Sequence, residues 1–385
     1  MDCNRDHTHR KHIDWDYSKE GMGSIVTSTT IEKHTGRTEA KDRPPRRDVV
    51  AMWLGVGFAF VFTAIIYIAS PSLDGFRAIL LPDQGASWYY WKLPEPTVIT
   101  RLSVWGMYLA HQFALWGLIW YAQTRVRKYS SGLHPVNIAA LAVNALFVVL
   151  HFIQTHVWYD GLAQDVSIFS SQGAVIVMLI WIMLMENNRR GVFAGKPLPI
   201  GKRVVQFARK YHGYFFAWAI IYTFWYHPME TTPGHLMGFF YTFLLLLQGS
   251  LFLTRIHVNK WWMFMQEIIV LAHGTIVAII QGNNMWPMFF FGFFGIFIIT
   301  QMHGLGLSRW VRWLFFGGYV AGALIVFSQI YTNRPFDKIW QLAAIPAIDY
   351  LALVVMALLF AIGIWVYDRL RGKQNANPVS VGGGD

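Results

Sequence analysis

Residues 136–157 read VNIAALAVNALFVVLHFIQTHV. The stretch holds no Asp, Glu, Lys or Arg. At about 1.5 Å per residue it is long enough to cross a hydrocarbon layer of about 30 Å. Its polar residues are ordered. Asn137, Asn144 and His151 recur every seven residues, so they form one stripe along a helix, and Thr155 shares the face of His151. A polar stripe on an apolar span turns toward other helices or a cavity, because lipid cannot satisfy it.

Nine further apolar runs resemble this one in length. With it they predict spans at roughly 49–70, 99–122, 136–157, 166–186, 211–227, 233–254, 261–281, 285–303, 313–331 and 348–367. Composition agrees. The 385 residues are 55% hydrophobic, 17% aromatic and only 14% charged, against about 25% charged in a soluble domain. The predicted fold class is all-α, a polytopic integral membrane protein of about ten transmembrane helices. Residues 1–48 carry ten Lys/Arg, nine Asp/Glu and four histidines (His7, His9, His12, His34) with no apolar run. They read as a disordered cytoplasmic tail without a secretory h-region. Residues 49–367 form the transmembrane domain, and 368–385 a cytoplasmic C-terminal tail. Cys3 is the single cysteine, so an intrachain disulfide is excluded.

The net charge of +11 is distributed by loop. Loop 123–135 holds Arg125, Arg127 and Lys128, and segment 187–210 holds seven Lys/Arg. Arg255, Lys260, Arg309, Arg312, Arg369, Arg371 and Lys373 fall on the same side. The alternate gaps collect Asp74, Asp83, Glu95, Asp160, Asp165, Glu230 and Asp337. This alternation follows the positive-inside rule and predicts an inner-membrane protein with both termini cytoplasmic. Basic residues in short loops are not a nucleic-acid stripe, so nucleic acid is not expected as a partner. Tyr89, Trp91, Trp158 and Trp261 sit where interfacial aromatics belong. Segment 71–98 is amphipathic and bounded by Pro and Gly, as in a re-entrant or interfacial piece.

Nine of the 14 histidines fall in or beside the predicted spans. An ionisable group there is costly and normally faces a cavity or a partner. Six gather toward the periplasmic half: His111, His151, His156, His227, His235 and His273, with Asp160, Asp165 and Glu230 near them. A smaller set, His212, His257 and His303 with Glu186 and Glu267, lies toward the cytoplasm. His156 is five positions beyond His151, about 140° round the helix, and lines up with Asp160 if the helix continues. The strings YDGLAQDV (159–166) and HPMETTPGH (227–235) read as structured turns beside the outer set.

Imidazole is the commonest metal ligand and titrates near neutrality. The leading expectation is a membrane-embedded, metal- or haem-dependent oxidoreductase acting on a lipophilic substrate or quinone. His111, His151 and His273 are its candidate cofactor ligands, with haem b or Fe, Cu or Zn as the cofactor. His151, His156, His227, His235, His273 and Asp160 are the candidate metal ligands. His156, Asp160, His227 and His235 are the candidate catalytic groups. One alternative is a proton-coupled transporter using the same histidines with Glu186 or Glu267, for which the glycines of FFFGFFG (289–295) would break a helix. Another is a metal-free lipid-modifying transferase with a His–Asp base. No GxxxxGK[ST], GxSxG or HExxH pattern occurs.

Overall fold

The computed structural model describes residues 46–375 apart from 86–88, 127, 283 and 329–335. The predicted tail, with its four histidines, lies outside the described residues as far as position 45, as do residues 376–385 of the C-terminal tail. Among the described residues the chain is helical, with two isolated bridges and no strand.

Ten long helices coincide with the ten apolar runs. They are α1 (Arg47–Ile68), α3 (Val98–Tyr121), α4 (Pro135–Trp158), α5 (Ile168–Arg190), α6 (Lys202–Tyr226), α7 (Pro233–Ser250), α8 (Lys260–Ile280), α9 (Trp286–Ile299), α10 (Arg309–Phe327) and α11 (Gln341–Asn375), with the one-turn α2 (Asp74–Arg77) after α1. Several starts are written in the sequence as caps. Thr97 and Thr100 form a capping box on α3, Thr232 caps α7 ahead of Pro233, and Asn259 caps α8.

Some boundaries move from their predicted places. α1 begins at Arg47, because Asp48 is fully buried and bonded to Arg46 and to the Ile256 amide. α6 begins at Lys202, nine residues before its apolar run. Its first turns are basic outside, while Val204, Val205 and Ala208 are buried. α11 starts at Gln341, includes Pro346, and continues past position 367.

Seven of these helices are long and apolar enough to cross a membrane: α1, α4, α5, α8, α9 with its following turn to Gly304, α10, and α11 with the turn before it. The chain is therefore a multi-pass membrane protein. α3, α6 and α7 fall outside this group. α3 carries Arg101, His111 and Gln112, α6 opens on charged residues, and α7 is diluted by Pro233, His235, Gln248 and its glycines. Of these helices, α6 and α7 are central, while α3 packs on α4 and α6. α6 packs on α3, α5, α7 and α11, and α7 on α1, α4, α6 and α8. The bundle is apolar outside and polar within. Leu54, Ile68, Val98 and Trp310 are exposed, whereas Asn137, His151, Gln154 and Thr155 are fully buried. This is the arrangement a bilayer selects, since lipid receives the apolar surface and buried polar groups must pair within the protein.

α9 runs unbroken, so FFFGFFG does not interrupt a helix. A Cβ at Gly292 would stand 2.8 Å from the Cβ of Ile345, and one at Gly295 would stand 3.4 Å from Pro346. The glycines are points of close approach between α9 and α11, the usual role of small residues between membrane helices.

Candidate functional site

One end of the bundle is closed by three turns: 69–77, 159–167 and 227–232. Their centre is Glu230, 1% exposed. Its carboxylate accepts from Arg77 Nη2 at 2.8 Å and from the Tyr159 hydroxyl at 2.5 Å. Arg77 also donates to Asp74, Thr231 and the Ser70 carbonyl. Tyr159 ends α4 in the left-handed region (φ 44°), and its ring stacks on Phe76 at 5.0 Å. Gly161 lets this turn press on the end of α6, because a Cβ there would stand 2.5 Å from the Tyr226 carbonyl oxygen. Beside the clamp an open cleft of about 550 Å³ is lined by Arg77, Leu81, Asp83, Tyr90, Trp91 and Thr232.

Below Trp91 the outer histidines begin. The His235 ring packs edge-on to Trp91 at 4.6 Å. Tyr89 Oη lies 2.8 Å from His235 Nε2, and Thr232 Oγ1 lies 2.7 Å from Nδ1. Burial raises the Tyr89 phenol well above its ordinary range, so it remains a donor. A phenol that keeps its proton can donate to Nε2, and the tautomer follows from that arrangement. His235 accepts at Nε2 and donates from Nδ1 to Thr232. The His227 ring stands 5.5 Å from His235 and 4.9 Å from both Tyr89 and Tyr226. Its Nδ1 is buried without a partner. His273 of α8 lies near both rings, its Nε2 3.2 Å from where a Cβ on Gly238 would sit.

His151 lies next to His227, deeper in the bundle. It is fully buried against Trp225 (4.3 Å), Phe224 (4.6 Å) and Phe239 (6.0 Å), and its ring approaches the His227 backbone without a hydrogen bond of good geometry at either nitrogen. Such orphaned nitrogens are uncommon and mark the place where a ligand, ion or water belongs. His227 and His235 are thus in ring contact, with His151 and His273 beside them in one aromatic-walled cluster, the histidine chamber.

The other sequence candidates sit elsewhere. His111 has both nitrogens engaged, Nε2 with Asn144 Oδ1 at 2.8 Å and Nδ1 with the Trp225 indole N–H at 3.2 Å, and its face stacks on Phe147 at 4.4 Å. Neither nitrogen is left for a haem iron in this arrangement. The polar stripe of α4 is the seam that holds it. Asn144 donates to Ser250 Oγ, Asn137 to the Ser250 and Phe252 carbonyls, and Thr155 Oγ1 accepts from the Met229 amide. The expected His156–Asp160 pair requires a continuous helix. α4 stops at Trp158, and Tyr159 redirects the chain. His156 Nδ1 is 2.7 Å from the Phe152 carbonyl, while Asp160 turns back to the Gly161 amide. Burial raises the Asp160 pKa to about 6, opposed by the Gly161 amide and the Thr100 hydroxyl.

Among the described residues no three His, Cys, Asp or Glu side chains stand close enough to share one metal ion. Glu186 is ion-paired with Arg189 and Glu267 with Arg190. Comparison with protein-family models, with curated proteins and with solved structures finds no match.

Arg77, Tyr89, Trp91 and Tyr159 were not among the sequence candidates. One signal pointed to Arg77. It is the lone base in the acid-collecting segment SPSLDGFRAILL.

Proposed function

We propose that all ten long helices cross an inner membrane with both termini cytoplasmic, which places the clamp, the cleft and the histidine chamber at the periplasmic face. The basic loops 123–135 and 187–210 then lie on the cytoplasmic side, as the positive-inside rule requires.

In this frame the chamber is the site of a membrane-embedded, metal-free transferase acting on an amphiphilic substrate. The observation that carries this reading is His235, held by Tyr89 and Thr232 at the foot of the cleft. A headgroup lies in the cleft against Trp91, and the apolar part rests along the aromatic wall. An acceptor hydroxyl that displaces the Tyr89 phenol gives its proton to His235 Nε2 as its oxygen attacks the transferred carbon. The imidazolium then returns that proton to the leaving group, while Thr232 fixes the ring through Nδ1. Positioned proton transfer of this kind contributes roughly 10²–10⁴-fold. The polar contacts that reach α7 from Trp225 through His111, Asn144 and Ser250 support a transporter less well, because the Trp225 indole donates but cannot relay.

A second reading keeps the metal-dependent oxidoreductase on a lipophilic substrate or quinone. The orphaned nitrogens of His151 and His227 favour it. It requires side-chain rearrangement before three donors meet at one ion.

The test is conversion of a labelled membrane-lipid extract by chelator-treated protein in bilayer discs, followed by mass spectrometry. Metal-free wild type is expected to form product, and His235→Gln to slow it by about 10²–10⁴-fold, with His134→Gln unaffected. Product that appears only after a metal is restored supports the oxidoreductase. Equal rates in His235→Gln, or no converted lipid, overturn the transferase.

A further inference from the structure

A second histidine pair sits away from the chamber. His212 of α6 and His257 of the α7–α8 turn have ring centres 6.4 Å apart, tilted by 35°. Each ring is fixed through Nδ1 on a backbone carbonyl: His212 on Arg209 at 2.6 Å, His257 on Gln248 at 2.9 Å. Gln248 is itself held, donating to the His257 carbonyl at 3.0 Å and accepting from the Trp262 indole at 2.6 Å. A ring whose Nδ1–H is bound to a carbonyl presents Nε2 as a lone pair, and this is the usual second contact of a metal-ligating histidine. No hydrogen bond among the described residues uses either Nε2.

The spacing has a chemical meaning. A nitrogen lies about 1.2 Å from the centre of its ring and a metal–nitrogen bond is about 2.0 Å, so two imidazoles on opposite sides of one ion place their centres about 6.4 Å apart. Zinc asks for four ligands, and only two are at hand. Cu(I) takes two donors in line, and imidazole is among the ligands that suit copper. We propose that His212 and His257 form a two-coordinate Cu(I) site joining α6 to the α7–α8 turn. It is separate from the histidine chamber and independent of the reaction assigned there.

The test is an anaerobic Cu(I) titration of the full chain in detergent against a chromophoric chelator, with X-ray absorption on the loaded protein. Wild type is expected to hold one more Cu(I) than either His212→Gln or His257→Gln, while His134→Gln matches wild type. That extra ion should give the intense pre-edge feature of two-coordinate Cu(I). Any tail or chamber binding cancels in the difference. If either variant folds poorly, His257→Gly with added imidazole should regain the ion. Equal stoichiometry in all proteins, absence of the two-coordinate signature, or a Soret band lost in these variants overturns the proposal.

Discussion

Replacing Glu230 by alanine is expected to lower stability by about 3–5 kcal/mol, the range for removing one partner of a buried ion pair. Glu230 is buried while Arg77 is 28% exposed, which places the loss toward the lower end. Alanine takes one of the two carboxylates from the Arg77 guanidinium, which keeps Asp74, Ser70 and Thr231, and leaves the Tyr159 hydroxyl without its acceptor. The three turns over the histidine chamber then separate. Glu230→Gln retains an acceptor for Tyr159 and should fall between wild type and alanine. Thermal unfolding in detergent measures the effect. A melting temperature unchanged in Glu230→Ala would mean that the clamp does not hold this end of the bundle.

The second large effect lies at Arg190 and Glu267. Two hydrogen bonds of 2.9 and 2.7 Å join α5 to α8, and each side chain is 5% exposed. Gly304 packs against Arg190, where a Cβ would stand 2.7 Å from the arginine Cβ. Glu267→Ala should cost about 3–5 kcal/mol, because it strands a buried cation. The double variant Arg190→Met/Glu267→Leu should recover most of the loss, since apolar pairs replace buried ion pairs at little or no cost. A double variant as unstable as Glu267→Ala would contradict this. The pair also bears on the transporter alternative. A carboxylate locked to an arginine is poorly placed to take up and release a coupling proton.

Much of the helical architecture could be read from apolar runs, because lipid selects composition one segment at a time. The α4 stripe was legible for the same reason. A period of seven on a helix places Asn137, Asn144 and His151 on one face, and all three are buried against neighbouring helices. Ends were less legible where charge and burial coexist. The first turns of α6 are basic yet pack Val204 and Val205 inward. Asp349 falls near the edge of its apolar run, but α11 begins earlier and buries the carboxyl.

The site was legible in part. The turns 159–166 and 227–235 stood out by their Gly, Pro, acids and histidines, and they do meet. What one-dimensional spacing cannot supply is the tertiary partner. His111 read as a ligand because nothing in the sequence places the Trp225 indole on its Nδ1. His156 and Asp160 read as a pair because nothing in the run marks Tyr159 as left-handed. Arg77 counted only as a charge until Glu230 arrived from the other side of the fold.

The central claim is that imidazoles from α4, the α6–α7 turn, α7 and α8 line one chamber. Through-space nitrogen–nitrogen correlation of ¹⁵N-histidine protein in bilayers, assigned by single His→Gln variants, tests it directly. The account predicts cross-peaks linking His227 to His235 and to His151, and no cross-peak from His156 to any of them. Isolated His227 and His235 signals, or a His156–His235 contact, would contradict it.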